Sequence, residues 1–332
     1  MRRVTAFVIP ALFACVASGQ TQQTFNFTTA ASVQDFQETS TLIRTVSAIQ
    51  DTSTDNEQKS LTVKGTAEQI ALAGWLFKEL DKAPSSADTA PAEYRAGDND
   101  LVKVYYINHA SDVKNFQEIS IFVRTMTEIR TAFTQNARKA LALRGAPYQL
   151  ALADFVISEL NQISIPQSPA AHEYRIPPDL NPPHDGDTVR IYYLPGTKTV
   201  QDFQEVANMA RTITGIRAAF TYNQNRALGL RASADEIAFA DWLLHQLNSN
   251  GQDEYRVPNA SDDVARVFYL TNTATTQAFQ QQAAQIRSAT NIRRAFIYGA
   301  QRALALRGTV TQIALAEQMV KDLDSPKPET FR

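Results

Sequence analysis

Four phenylalanine–glutamine pairs, beginning at Phe36, Phe116, Phe203 and Phe279, mark successive copies of one pattern. An arginine follows each in the same register (Arg44, Arg124, Arg211 and Arg287). Further on come Lys64-Gly65, Arg144-Gly145, Arg231-Ala232 and Arg307-Gly308. At all three landmarks the copies are offset by 80, 87 and 76 residues, so insertions fall between copies and never inside them. Length alone would suggest two or three domains for 332 residues, but an internal repeat overrides that prior. The chain is an array of one small module.

Each copy resolves into five elements. Short β-branched and aromatic runs (Val104–Ile107, Ile191–Leu194, Val267–Leu270) predict an opening strand. Ser32, Asp112, Thr199 and Thr275 are good helix N-caps, each placed four before the aligned phenylalanine. In the third copy Phe203, Val206, Ala207, Ala210 and Ile213 then form one apolar stripe at helical spacing. Ile216–Tyr222 and Ala227–Arg231 alternate as strands around Asn223-Gln224-Asn225. Thr66-x-x-Gln69, Ser233-x-x-Glu236 and Thr309-x-x-Gln312 are capping boxes opening a second helix, and Pro147 replaces that device in the second copy. The fold class is α+β: a tandem array of four βαββα modules, each a three-stranded sheet with two helices on one face. The modules fall at 24–82, 101–162, 188–248 and 264–325. The first is degenerate, with polar Asp51-Thr52-Ser53-Thr54-Asp55 in place of an apolar strand, as a terminal cap requires.

Met1-Arg2-Arg3 followed by the apolar run Val4–Ala17 has the form of a secretory signal peptide, with cleavage expected after Gly19. A second reading starts from Leu12-Phe13-Ala14-Cys15, which resembles a bacterial lipobox and would make Cys15 a lipid acceptor. Either reading sends the mature chain out of the cytoplasm, most simply to the periplasm. No later segment has the length and apolarity of a membrane-spanning helix. A net charge of -2 gives no general attraction to nucleic acid. The lone Cys15 excludes an intramolecular disulfide framework, and His109, His172, His184 and His245 share no ligand spacing. No metal or other cofactor is expected.

The linkers carry prolines, and each also holds Glu-Tyr-Arg, centred on Tyr94, Tyr174 and Tyr255. Two readings are open: an extra edge strand, or a tyrosine that pins the linker to a neighbouring module.

The strand Val189-Arg190-Ile191-Tyr192-Tyr193-Leu194, the run Leu61-Thr62-Val63-Lys64-Gly65-Thr66 leading into Gln69-Ile70, and the closing Leu80-Asp81 and Leu323-Asp324 carry a family resemblance. The pattern resembles the secretin and TonB short N-terminal type of periplasmic domain, KH-like in topology, which recurs in tandem at the N-termini of secretins. That resemblance, over most of residues 25–325, implies stacked modules that bind partner proteins in the periplasm. Only Ser325–Arg332 follow Asp324, so the secretin pore domain is expected to be absent, and the resemblance implies assembly rather than a channel.

No G-x-S-x-G, H-E-x-x-H, P-loop or Rossmann fingerprint occurs, and the chain is read as a non-enzyme. Asp154, Asp241 and Glu317 share one helix position and read as solvent-edge residues. Strand alternation points to a candidate docking face. With helices on one side of a small sheet, the other side of the second copy would carry Arg130, Ala132, Ala140, Ala142 and Arg144. A hairpin centred near Ala137 pairs Arg130 with Arg144, and by repetition Arg217 with Arg231 and Arg293 with Arg307. Opposed like charges need an intervening anion, or the arginines splay into water. The anion would be a Glu-Tyr-Arg glutamate, a neighbouring module or an external ligand.

The leading expectation is therefore an exported scaffold that binds envelope proteins or itself. The alternatives are a cell-wall glycan binder, an envelope enzyme with a loop-borne site, and a single-stranded nucleic-acid binder. The last lacks the G-x-x-G loop that KH domains place between helices.

Overall fold

The structure is a computed structural model describing residues 20–82, 90–162, 172–178, 187–258 and 263–325. The expected signal peptide, Cys15 and His184 lie outside these residues. Chain contacts divide the molecule into a first unit ending at Ala83 and a second beginning at Pro84.

The first unit is one module. Its elements are β1 (Thr21–Asn26), α1 (Val33–Val46), β2 (Asp51–Asp55), β3 (Ser60–Gly65) and α2 (Ala67–Leu80). The sheet is antiparallel in the order β1-β3-β2, so the opening strand lies beside the last one. Phe25, Leu61 and Val63 face the two helices and are buried, along with Phe36, Leu42, Ile43 and Leu76. Asp51–Asp55 is a strand despite its polarity, because β3 supplies its backbone partners while its side chains stay largely in water.

The second unit holds three copies. The first contributes β4 (Ala92–Gly97), β5 (Asp100–Tyr106), α3 (Val113–Thr127), β6 (Thr131–Gln135), β7 (Ala140–Gly145) and α4 (Pro147–Leu160). Next come β8 (His172–Arg175), β9 (Thr188–Tyr193), α5 (Val200–Thr214), β10 (Ala218–Tyr222), β11 (Ala227–Ala232) and α6 (Ala234–Ser249). The last comprises β12 (Glu254–Arg256), β13 (Val264–Tyr269), α7 (Thr276–Thr290), β14 (Arg294–Tyr298), β15 (Ala303–Gly308) and α8 (Val310–Leu323). The βαββα modules are thus present as expected, but these three sheets have four strands. Glu-Tyr-Arg supplies the extra one: β4, β8 and β12 lie outside β5, β9 and β13, respectively.

The helix starts follow from their caps. The side chains of Ser32, Asp112, Thr199 and Thr275 each accept from the amide three residues on. The boxes at Thr66, Ser233 and Thr309 are closed in both directions. In the hairpins, Lys59, Lys139, Arg226 and Arg302 adopt positive φ of 48–50° as the last turn residue. Their long side chains return to backbone carbonyls before the first helix: Lys59 to Ala30, Lys139 to Ala110, Arg226 to Thr197 and Arg302 to Thr271. Those bonds offset the cost of a left-handed backbone at a residue that is not glycine.

Candidate protein-docking site

The hairpin loops have four residues, with Gln135 paired to Ala140 and Tyr222 to Ala227. The register is therefore one residue away from that expected. Thr131 stands opposite Arg144, and Ala218 opposite Arg231. The slip reverses the faces of β6, β10 and β14. Phe133 joins Ala142 on the side away from the helices, while Ala132 pairs with Leu143 on the inner side. Arg130, Arg217 and Arg293 precede their strands and are exposed. One opposed pair does form, but from Arg294 rather than Arg293: Arg294 faces Arg307. Burial and the neighbouring Arg307 charge lower the pKa of Arg294.

Arg144, Arg231 and Arg307 lie on the expected strand and have carboxylate partners, though not from Glu-Tyr-Arg. Arg144 binds Asp100 through Nε and Nη2, the latter at 2.6 Å. Arg307 binds Asp263 in the same way, at 2.9 and 2.7 Å. Asp100, Asp187 and Asp263 are one aligned position, Asp100 as the first residue of its strand and the other two just before theirs, an acid–base periodicity readable in the sequence. Arg231, only 5% exposed, lies 3.4 Å from Glu128.

The face expected to be open is, in the last two copies, covered by the preceding copy of the same chain. Helix α3 packs on β10 and β11, and α5 on β14 and β15. Arg231 donates to the carbonyl of Met126 at the end of α3. Arg307 donates to those of Ile213 and Thr214 at the end of α5, at 3.1 and 2.9 Å. A cation at a helix C-terminus opposes the negative end of its dipole and satisfies a terminal carbonyl.

Further contacts lock each junction. Phe122 of α3 meets Phe220 edge-on at 6.1 Å and lies over Gly229, where an added Cβ would come 2.2 Å from its ring. Glu118 accepts from the amide and side chain of Asn223, and Glu205 from the amide of Gly299. Tyr193 donates to the carbonyl of Glu159, and Tyr269 to that of Gln246. Burial raises the pKa of Tyr269 to about 12. The cores merge accordingly: Val189, Ile191, Tyr193 and Tyr222 belong with the helices of the copy before them, as do Ala265, Val267 and Tyr298.

Glu-Tyr-Arg forms an edge strand at each of its three places, and at the last two its tyrosine also packs on the preceding copy: Tyr174 lies 5.5 Å from Phe155, and Tyr255 stacks on Phe239 at 4.5 Å. Tyr94 occupies the aligned position in β4. At the first two places its glutamate joins a polar cluster on the inner face. Lys103 bridges Glu93 and Asp154 at 3.3 and 2.7 Å, and Arg190 bridges Glu173 and Asp241. Arg266 reaches Glu317 at 2.8 Å. Asp154, Asp241 and Glu317 are thus ion-pair partners rather than plain solvent-edge residues. Burial works to lower the pKa of Lys103 and Arg190, but the carboxylates outweigh it and both end raised. Tyr105 and Tyr192 donate to Asp154 and Asp241; burial first, then the carboxylate, raises each phenol.

Among the described residues no helix is long and apolar enough to cross a membrane, and no cluster of three His, Cys, Asp or Glu is placed to hold a metal.

No known family pattern matches the chain, and no curated protein matches it in sequence. Among solved structures it is similar to a chain of the a/eIF2alpha–aDim2p–rRNA complex of Pyrococcus horikoshii OT3. That likeness has 13% identity and a TM-score of 0.24, over 43% of this chain and 85% of the other. Aeromonas hydrophila ExeD is 11% identical with a TM-score of 0.16, over 75% of this chain and 44% of ExeD. A chain of the ETEC pilotin–secretin AspS–GspD complex is 12% identical with a TM-score of 0.16, over 88% of this chain and 59% of the other. This chain thus spans less than two thirds of the last two. Likenesses this distant assign it neither a partner nor an activity.

Proposed function

We propose that the chain is a non-enzymatic exported scaffold whose modules hold envelope proteins together. One observation carries this reading: the sheet faces in the last two copies each receive a helix, sealed by an arginine on the helix end. A module that repeatedly takes up protein segments on its surfaces is suited to assembly. The secretin-like repeat pattern and the leader-like N-terminus agree with a periplasmic setting.

The preferred partner is another protein rather than a second copy. Helices α3 and α5 bring Glu118, Ile119 and Phe122, and Glu205, Val206 and Met209, to their junction faces. At the same positions α7 carries Gln281, Gln282 and Gln285. The sheet face of the first module that points away from its helices is polar as well, with Ser53 where later copies place phenylalanine, Thr62 where they place alanine or glycine, and Lys64 where they place arginine. Neither surface offers what stacking uses.

Crosslinking the purified mature protein in envelope extract, followed by isolation of the adduct, tests the reading. A discrete heterologous adduct is expected. Persistent monomer without a partner sinks it, and hydrolysis of cell-wall glycan by the purified chain would move it to the enzyme class.

A further inference from the structure

In three of the four sheets the outer edge of the opening strand is filled from within the chain, by β4, β8 or β12. In the first sheet β1 is itself the edge among the described residues. The amide of Phe27, just after β1, donates to Lys59 on the β3 side. With a period of two, the backbones of Gln22, Thr24 and Asn26 therefore point to the open edge.

Beside that edge, between β1 and α2, is a cleft of about 550 Å³ whose floor includes Phe25, Ile70, Ala71, Gly74 and Phe77. Its chemistry departs from the other copies. Where they place Lys103, Arg190 or Arg266, the first has Gln23; where they place Asp154, Asp241 or Glu317, it has Gly74. The ion cluster that engages the glutamate of Glu-Tyr-Arg is thus missing, and Phe25 replaces the Tyr105 and Tyr192 that donate into it.

Building on the scaffold reading, we propose that β1 is a strand-addition site for an extended segment of a partner protein. The segment would be uncharged, with an apolar side chain pointing into the cleft over Gly74. Backbone hydrogen bonds to Gln22, Thr24 and Asn26 would supply affinity, and the cleft would supply selectivity. The occupant differs from Glu-Tyr-Arg because Gln23 takes the place of the strand cation, Lys103 or Arg190, that receives the glutamate in the next two copies. Lys78, which also lines the cleft, lies on the exposed side of α2.

The test uses the mature full-length chain and two blocked heptapeptides. One alternates threonine with valine and phenylalanine; the other has Glu-Tyr-Arg at its centre. The apolar peptide is expected to bind saturably and to protect the amides of Gln22, Thr24 and Asn26 from hydrogen exchange. Thr24→Pro deletes an edge donor yet spares the β3 ladder, and should weaken binding at least about tenfold. Gly74→Asp restores the residue of the other copies and should do the same, with both variants keeping the wild-type circular dichroism. Equal binding to wild type and Thr24→Pro overturns the proposal, as does equal affinity for the Glu-Tyr-Arg peptide. Concentration-dependent protection of the same amides without peptide also overturns it, by making a second copy the occupant. An envelope adduct that survives Thr24→Pro leaves the scaffold reading standing while this edge falls; absence of any adduct from wild type removes the scaffold reading itself.

Discussion

Single residues record the fit between copies. Phe122 is matched by Gly229 on the following sheet, whereas the next junction has Met209 in the same core as Ala305. The larger knob meets the smaller backbone position. Gly229→Ala is expected to cost about 1–3 kcal/mol through overpacking. Adding Phe122→Met, which copies the other junction, should restore most of that in a double-mutant cycle followed by urea denaturation. Additive losses would show that the two positions do not share a constraint. Asp81 offers a second residue-scale test. Its carboxylate accepts from the amides and hydroxyls of Thr28 and Thr29. Burial alone would raise its pKa, but these bonds outweigh it and leave the carboxyl below its usual value. A depressed folded-state pKa adds stability above the unfolded value, about 4, and that stability is lost as pH falls through the folded value. Asp81→Asn should therefore flatten the acid limb of the first unit's stability profile. The substitution keeps the fold, since Asn161 accepts from the amide of His109 in the second copy.

At the scale of elements, the arginines divide by their strand. Arg231 is a buried cation on the end of α3, so Arg231→Met leaves the Met126 carbonyl without this donor. The expected loss is about 1–3 kcal/mol, with a junction that opens in limited proteolysis. Arg217→Glu, at an exposed position, should stay within about 0.5 kcal/mol of wild type. Element types and starts were legible because caps and periodicity are local: Thr199, Ser233 and Thr309 announce their helices. The hairpin register was not, since it turns on whether three or four residues close the loop, and Lys139 or Arg226 in a left-handed conformation gives no glycine signal. The covering of the arginine face was hidden for a different reason. It depends on α3 meeting strands about a hundred residues further along, and no local pattern encodes that distance. The Asp100–Arg144 and Asp263–Arg307 pairs are legible in the repeat alignment, whereas alternation within one copy does not reveal them, because partners 44 residues apart fall on different strands.

For the whole molecule, the polar faces of α7 and of the first sheet bear on assembly. A heterologous contact that does not close generates filaments, and a repeat array presenting an unsatisfied face would invite that outcome. Here glutamines replace the knobs and Thr62 and Lys64 replace the receiving surface. Light scattering of residues 20–332 should give the single-chain mass across concentrations. Installing Gln282→Val and Gln285→Met together with Thr62→Ala and Lys64→Arg should produce concentration-dependent growth. Growth in the unmodified chain would mean that another surface mediates self-association.

The packing of α3 on β10 and β11 also has a consequence in time. A chain delivered amino terminus first presents Ile119 and Phe122 long before Gly229 and Arg231 arrive to receive them. The first two modules of the second unit are thus left waiting for their successors, and a pause in delivery between α3 and β11 would leave an apolar helix face in solvent. The glutamines of α7 spare the last module that exposure.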